Sequence, residues 1–302
     1  MPLNNLQLAT DLSLSRIIHG LWRLGDWNLG KKDLVAFLEE IMEMGITSFD
    51  HADIYGDYSC EKIFGDALRL QPSLRKDMQI ITKCGIKLRS DKYPERKLQI
   101  YDYSYQHILQ SVEQSLQNLG IDTIDLLLLH RPAPFFDPEE VTRAFDQLYQ
   151  AGKVRYFGVS NFTPGQFEML QKHWHQKLLT NQIEISPGCL EHFENGNLNF
   201  CLKEQIKPMS WSPLSGGELF HPTTTKGIRI LKVLEKITEG IGAKSIDQVV
   251  YAWIVKHPSQ IMPIVGSGKI DRIQTALDGL ELELSMQQWY EIYNASTGVE
   301  LP

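Results

Sequence analysis

Leu6 and Leu8, then Leu12 and Leu14, alternate with polar residues on either side of Ala9-Thr10-Asp11. That period of two predicts a small N-terminal hairpin over 1–15 with one apolar face that needs covering. Short apolar or β-branched runs then recur at 16–22, 46–52, 79–85, 124–130, 154–161, 180–186, 206–212 and 261–267, giving eight candidate strands. Between them lie stretches with helical spacing, such as Leu34, Phe37, Leu38, Ile41 and Met42, or Ile108, Val112, Leu116 and Leu119. A further helical stretch, 286–293, lies near the C-terminus. Some helix ends are visible: Asp137-Pro138-Glu139-Glu140 reads as an N-cap, a first-turn proline and two acids, and Ala151-Gly152-Lys153 closes the same helix.

Runs that are apolar on successive residues, as at 124–129, belong to strands covered on both faces, which in an alternating chain means a parallel sheet. Eight such units predict an α/β fold, a (β/α)8 TIM barrel with the hairpin closing its bottom. No linker or shift in composition divides the chain, so 1–302 reads as a single domain. The competing fold is an open doubly wound sheet. It commonly carries Gly-x-Gly-x-x-Gly after its first strand, and His19-Gly20-Leu21-Trp22-Arg23-Leu24-Gly25 does not fit that pattern.

Composition narrows the function. The 302 residues are 42% hydrophobic and 22% charged, enough for a sizeable core. A net charge of −7 argues against a general affinity for nucleic acid or for anionic membrane, so an anionic ligand must meet a local basic patch. No run approaches the ~18 apolar residues of a membrane span and no secretory leader is evident, which predicts a cytoplasmic protein. Cys60, Cys84, Cys189 and Cys201 are scattered and read as buried or idle thiols.

Candidate chemistry collects where barrel active sites form, at the C-terminal ends of the strand runs. The second run leads into Asp50-His51-Ala52-Asp53-Ile54-Tyr55-Gly56, the third ends in Thr82-Lys83-Cys84-Gly85, and the fourth in Leu129-His130-Arg131-Pro132. Alternation along a strand turns His51 outward if Asp50 points in, and lets Lys83 and His130 take the inward phase. A lysine there, taken alone, reads as a buried ion-pair partner. An ammonium held by Asp50 beside a phenol favours phenolate, which would bring the Tyr55 pKa down from about 10 toward the range of an acid/base catalyst.

With Asp50, Tyr55, Lys83 and His130 in this order, the chain resembles the aldo-keto reductases over almost its whole length. These are NAD(P)H-dependent (β/α)8 barrels that interconvert carbonyls and alcohols. The resemblance implies that these four residues are the catalytic set, with Tyr55 as proton donor, Lys83 and Asp50 tuning it, and His130 orienting the carbonyl. Gly158-Val159-Ser160-Asn161-Phe162 and Asn181-Gln182 are similar to motifs whose Ser160, Asn161 and Gln182 positions meet the nicotinamide carboxamide. Trp211-Ser212-Pro213-Leu214 resembles the segment that sets an aromatic ring on the nicotinamide and backbone groups near the pyrophosphate. Ser267, Lys269 and Arg272 fall in a segment similar to the one that grips the adenosine 2′-phosphate, pointing to NADP(H), with NAD(H) an alternative. Here the chain has Gly266, Thr275 and Ala276 where many members carry a Lys and then Glu-Asn.

The implied function is reversible NADPH-dependent reduction of aldehydes and ketones by a monomer or weak homo-oligomer. The substrate pocket is expected to be walled by Trp22, Tyr55, His130, Phe135 and Phe136, aromatic surfaces that suit apolar carbonyls. An NADP(H)-binding regulatory or scaffold subunit with little turnover is the rival, and the four-residue set weighs against it. A metal-dependent hydrolase using His51, Asp53 and His130 is disfavoured by the outward phase of His51, so no metal is expected. His107, His173, His175 and His257 fall on predicted helices and are given no role.

Overall fold

The computed structural model describes residues 5–301. Two strands, β1 (Leu6–Ala9) and β2 (Leu12–Leu14), pair antiparallel with Leu6 opposite Leu14, as the alternation predicts. Eight parallel strands follow: β3 (Ile18–Gly20), β4 (Ser48–Asp50), β5 (Gln79–Cys84), β8 (Ile124–Leu129), β9 (Val154–Ser160), β10 (Asn181–Glu184), β11 (Met209–Trp211) and β12 (Met262–Val265). They form a closed barrel in the order β10-β11-β12-β3-β4-β5-β8-β9. Each falls inside one of the eight predicted runs, but several are only three or four residues long.

The helices are α1 (Lys31–Glu43), α3 (Cys60–Leu68), α4 (Tyr105–Leu119), α5 (Pro138–Gln150), α6 (Pro164–His173), α7 (Glu191–Glu194), α8 (Asn197–Lys203), α9 (Thr225–Ile241), α10 (Ile246–Val255), α11 (Ile270–Leu280) and α12 (Met286–Thr297), while the short element α2 (Tyr55–Tyr58) is a turn with non-helical backbone at Gly56 and Asp57. Asp137 caps α5, its side chain accepting from the Glu139 and Glu140 amides, and Gly152 follows the helix at φ 69°. A short antiparallel pair, β6 (Ile86–Lys87) and β7 (Ile100–Tyr101), lies between β5 and α4. Strands of two residues carry no periodicity to read. His175 and His257 lie just past helix ends rather than on helices. Trp174 turns to an extended conformation after α6, and Lys256 caps α10.

Contacts group the chain into two compact units, one running to Asn181 with Gly266–Gly268, the other Gln182–Val265 with Lys269 onward. In the first, all six residues of β8 are buried, as a strand covered on both faces must be. The charge within it, Asp125, is tolerated because Arg75 and Arg155 each reach its carboxylate, at 2.9 and 2.6 Å, and the Ile80 amide donates to it at 2.8 Å. The hairpin sits at the N-terminal ends of the strands. Asp11 pairs with Arg155 at 2.9 Å near the start of β9, and the Ser15 amide donates to Ser48 Oγ at 2.9 Å at the start of β4. Leu12 and Leu14 are buried there. In the second unit, the rings of Trp253 and Trp289 stack at 5.2 Å, and each indole N–H donates to the other's backbone carbonyl at 3.1 Å. Among the described residues no helix is long and apolar enough to cross a membrane.

Candidate active site

The C-terminal ends of β4, β5 and β8 bring four side chains of the first unit together. Asp50 is the last residue of β4, and its Cα is in register with Ile81 of β5. Lys83, two residues on, points the same way and is fully buried. Its ammonium donates to Asp50 Oδ1 at 2.9 Å and Oδ2 at 2.8 Å, to the His51 carbonyl at 2.8 Å and to Tyr55 Oη at 2.9 Å. His130 follows β8, its amide bonded to the Cys84 carbonyl at 3.0 Å, and its ring meets the Tyr55 ring edge-on with centroids 5.9 Å apart.

A charge this deep needs compensation, and Asp50 supplies it at hydrogen-bond distance. Burial acts to strip the proton from Lys83, but Asp50 and the Tyr55 oxygen outweigh it and hold the ammonium pKa above its ordinary value. Tyr55 departs from expectation. Burial disfavours the phenolate more than Lys83 favours it, so the phenol pKa lies above 10 rather than below. Burial, with Lys83 and Arg131 nearby, pushes the His130 pKa well below the ordinary 6.5, leaving the imidazole neutral.

His51 turns away from this cluster. Its ring packs edge-on against Phe64 of α3 at 4.5 Å, with both ring nitrogens buried and unpartnered. Asp53 instead accepts a hydrogen bond from Ser111 of α4 at 2.7 Å. Among the described residues no three His, Cys, Asp or Glu side chains are grouped so as to hold a metal ion.

The expected walls differ among themselves. Trp22 is 61% exposed, with the Arg23 guanidinium 5.3 Å from its ring. Phe136 packs edge-on into Tyr103 and Phe162, at 5.6 and 6.0 Å, whereas Phe135 is 92% exposed and is not held in any wall. Adjacent aromatic residues in a loop give no sequence signal for which ring turns in.

Of the residues matched to cofactor motifs, Ser160 ends β9 buried, and Asn161 follows at φ 62° with its amide donating to Ser160 Oγ at 2.9 Å and to the His130 carbonyl at 3.3 Å. Asn181 clamps Phe162, accepting from its amide at 3.3 Å and donating to its carbonyl at 2.7 Å. In the second unit Gln182 is buried opposite Met209 of β11, and Trp211 ends that strand half-buried. The chain then runs through Pro213 and Leu214, with left-handed conformations at Ser212, Ser215, Gly216 and Gly217. Lys269 and Arg272 are exposed at the first turn of α11, where backbone amides and two cations suit an anion, and Ser267 lies two residues before Lys269. Within the second unit, this cationic helix start suits the phosphate of a nicotinamide dinucleotide.

Sequence reasoning missed Tyr58 and Arg96. The Tyr58 hydroxyl accepts from both the Leu88 amide and Arg96 Nη1 at 2.8 Å. Only the left-handed turn after Tyr55 draws attention to them, and a Gly-Asp-Tyr triplet does not announce that conformation.

A family model described as the aldo/keto reductase family matches residues 16–296. The chain is 51% identical over 300 residues to the uncharacterized oxidoreductase YcsN of Bacillus subtilis, covering 99% of this chain and 100% of that protein. It is 39% identical over 300 residues, with the same coverage, to a 6-dehydroglucose reductase of Agrobacterium fabrum. Its fold matches a solved thermostable aldo-keto reductase in complex with the inhibitor epalrestat with a TM-score of 0.81, at 24% identity, covering 97% of this chain and 99% of that one. The protein therefore belongs to the aldo/keto reductase family of NAD(P)H-dependent oxidoreductases.

Proposed function

We propose that the protein reduces aldehydes and ketones to alcohols, using NADPH in preference to NADH, with Tyr55 as the proton donor. The observation that carries this reading is the buried Lys83 ammonium, bonded at once to the Asp50 carboxylate and the Tyr55 oxygen. Bound NADPH supplies a hydride to the carbonyl carbon. Everything else asked of the site is proton chemistry and position.

Because Lys83 donates to Tyr55 Oη, the phenol's own proton is free to point at a substrate oxygen. With a pKa above its ordinary value the phenol is fully protonated at neutral pH and ready to donate. As the proton leaves, charge develops on an oxygen that already faces an ammonium, so the stabilisation is in place before the reaction begins. Asp50 keeps Lys83 charged, neutral His130 orients the carbonyl by a hydrogen bond, and solvent returns the proton afterwards. Ser160, Asn161 and Gln182 would hold the carboxamide, Trp211 the nicotinamide face, and Ser212, Pro213 and Leu214 the pyrophosphate. Ser267, Lys269 and Arg272 would hold the 2′-phosphate that favours NADPH.

The name of the Agrobacterium relative makes hydroxylated sugar aldehydes the first members of a substrate panel. The test is Tyr55→Phe, which keeps the ring and removes the proton. Turnover should fall by about 10²- to 10⁴-fold while the NADPH dissociation constant stays unchanged. Undiminished turnover removes Tyr55 from its role. Binding of NADPH by the unaltered protein without multiple turnover on any carbonyl would favour a regulatory subunit instead.

A further inference from the structure

Tyr55 opens a turn that a protein chain does not adopt unaided. Gly56, Asp57 and Tyr58 all stand in the left-handed region, at φ 57°, 51° and 64°. Glycine tolerates this, but for Asp57 and Tyr58 the Cβ crowds the following carbonyl, so the conformation must be held from outside. What holds it is the loop 88–97. The Tyr58 hydroxyl accepts from the Leu88 amide and from Arg96 Nη1, both at 2.8 Å. The Arg96 guanidinium lies 3.6 Å from the centre of the Tyr93 ring, and Tyr93 meets Tyr58 edge-on at 5.0 Å. Lys92 closes the arrangement, its ammonium donating to the Asp57 carbonyl and pairing with the Asp57 carboxylate at 3.8 Å. This group takes no part in the hydrogen bonds named for Lys83, yet it holds Asp57 and Tyr58, within three residues of the proposed proton donor.

We propose that Tyr58 and Arg96 are positioning residues of the reduction: stapled to each other and to loop 88–97, they hold the left-handed turn that keeps the Tyr55 hydroxyl on Lys83. This rests on the reductase reading given above. A planar, multidentate guanidinium suits the task because one group stacks on Tyr93 while donating to Tyr58, which a lysine ammonium cannot do with the same geometry. With the staple removed, the turn relaxes toward right-handed conformations and the phenol moves off its bond to Lys83. A displacement of the order of 1 Å at a reacting group is enough to cost about 10²-fold in rate.

Two readouts test this in the full-length protein. The first is kcat for carbonyl reduction in Arg96→Ala, Arg96→Lys and Tyr58→Phe, each also made in the Tyr55→Phe background. Arg96→Ala should lower kcat by about 10- to 100-fold with little change in the NADPH dissociation constant, Arg96→Lys should recover part of the loss, and Tyr58→Phe should lose less. In the Tyr55→Phe background the same changes should have almost no further effect, because they act through Tyr55. An equal further loss there, or full activity in folded Arg96→Ala and Tyr58→Phe, overturns the proposal. The second readout is amide hydrogen exchange, which needs no activity. The Tyr58 and Ser59 amides, bonded to the Ile54 and Tyr55 carbonyls at 3.3 and 3.0 Å, should exchange at least about tenfold faster in Arg96→Ala while β5 and β8 stay protected. Unchanged exchange overturns the staple. Absence of turnover in the unaltered protein would sink the reductase reading instead, with the exchange result still deciding the staple.

Discussion

Lys83 has no exposed surface, yet it is charged, because four acceptor oxygens lie within 2.9 Å of its ammonium. Such a group cannot be removed cheaply. Lys83→Met should lower stability by about 3–5 kcal/mol in denaturant unfolding, because Asp50 is left buried without its partner. Other titrating groups near the site make stability depend on pH with opposite signs. Burial lowers the pKa values of His19 and His51 to about 3, from an unfolded value of 6.5. Between those values the unfolded chain binds more protons, so their contribution falls as the solution is acidified from about 6.5 toward 3. His51→Phe, whose ring can keep the contact with Phe64, should flatten the acid limb. Burial raises Asp53 to about 8 from 3.8, with Ser111 opposing and Glu61 adding to the rise. Here the folded state holds the extra proton, so this contribution falls as pH rises from about 4 to 8. Asp53→Asn should therefore stabilise the protein more at pH 9 than at pH 4, as read by thermal unfolding. The four-residue cluster was legible in the sequence because strand ends and side-chain parity constrain where Asp50, Lys83 and His130 can point. The direction of the Tyr55 pKa was not, since spacing reveals the neighbouring charge but not the burial that outweighs it.

At the level of elements, helices and strands were readable wherever a period ran long enough. The α5 boundaries followed from Asp137, Pro138 and Gly152, whose capping roles depend on local chemistry alone. The β6 and β7 pair was not readable because its strands are two residues long, and the turn after Tyr55 was not because contacts to loop 88–97 hold it. Gly65 marks another place where an element's position rests on one residue. A Cβ there would lie 2.1 Å from the Asn118 carbonyl oxygen and 2.7 Å from Leu119 backbone atoms, so α3 and α4 pack at backbone contact. Gly65→Ala should force the helices apart and destabilise the protein by at least about 1–3 kcal/mol, although alanine is the better helix former. Chemical denaturation checks this, and a stabilised variant would mean that the helices shift without loss. Because α3 carries Glu61 and Phe64, which bear on Thr82 and His51, some loss of turnover should accompany the loss of stability.

For the whole molecule, eight strand runs alternating with helical stretches were enough to indicate a closed barrel, and the run at 124–129 shows most plainly the doubly buried pattern that a parallel sheet imposes. The net charge of −7 makes the exposed pair Lys269 and Arg272 stand out as a local exception, and the proposed preference for NADPH depends on it. What the sequence could not supply was the inventory of the substrate pocket, since exposure separates Phe135 from Phe136 without any difference in residue type. The central claim is that this barrel passes a hydride to a carbonyl carbon while Tyr55 delivers the proton. The most direct measurement is isotope transfer: the enzyme is supplied with an aldehyde and NADPH carrying deuterium at nicotinamide C4, and the alcohol is analysed by mass spectrometry. The account predicts deuterium on the carbinol carbon of every product molecule when both C4 positions are labelled. Oxidation of the cofactor with an unlabelled alcohol, or with no alcohol, would contradict it.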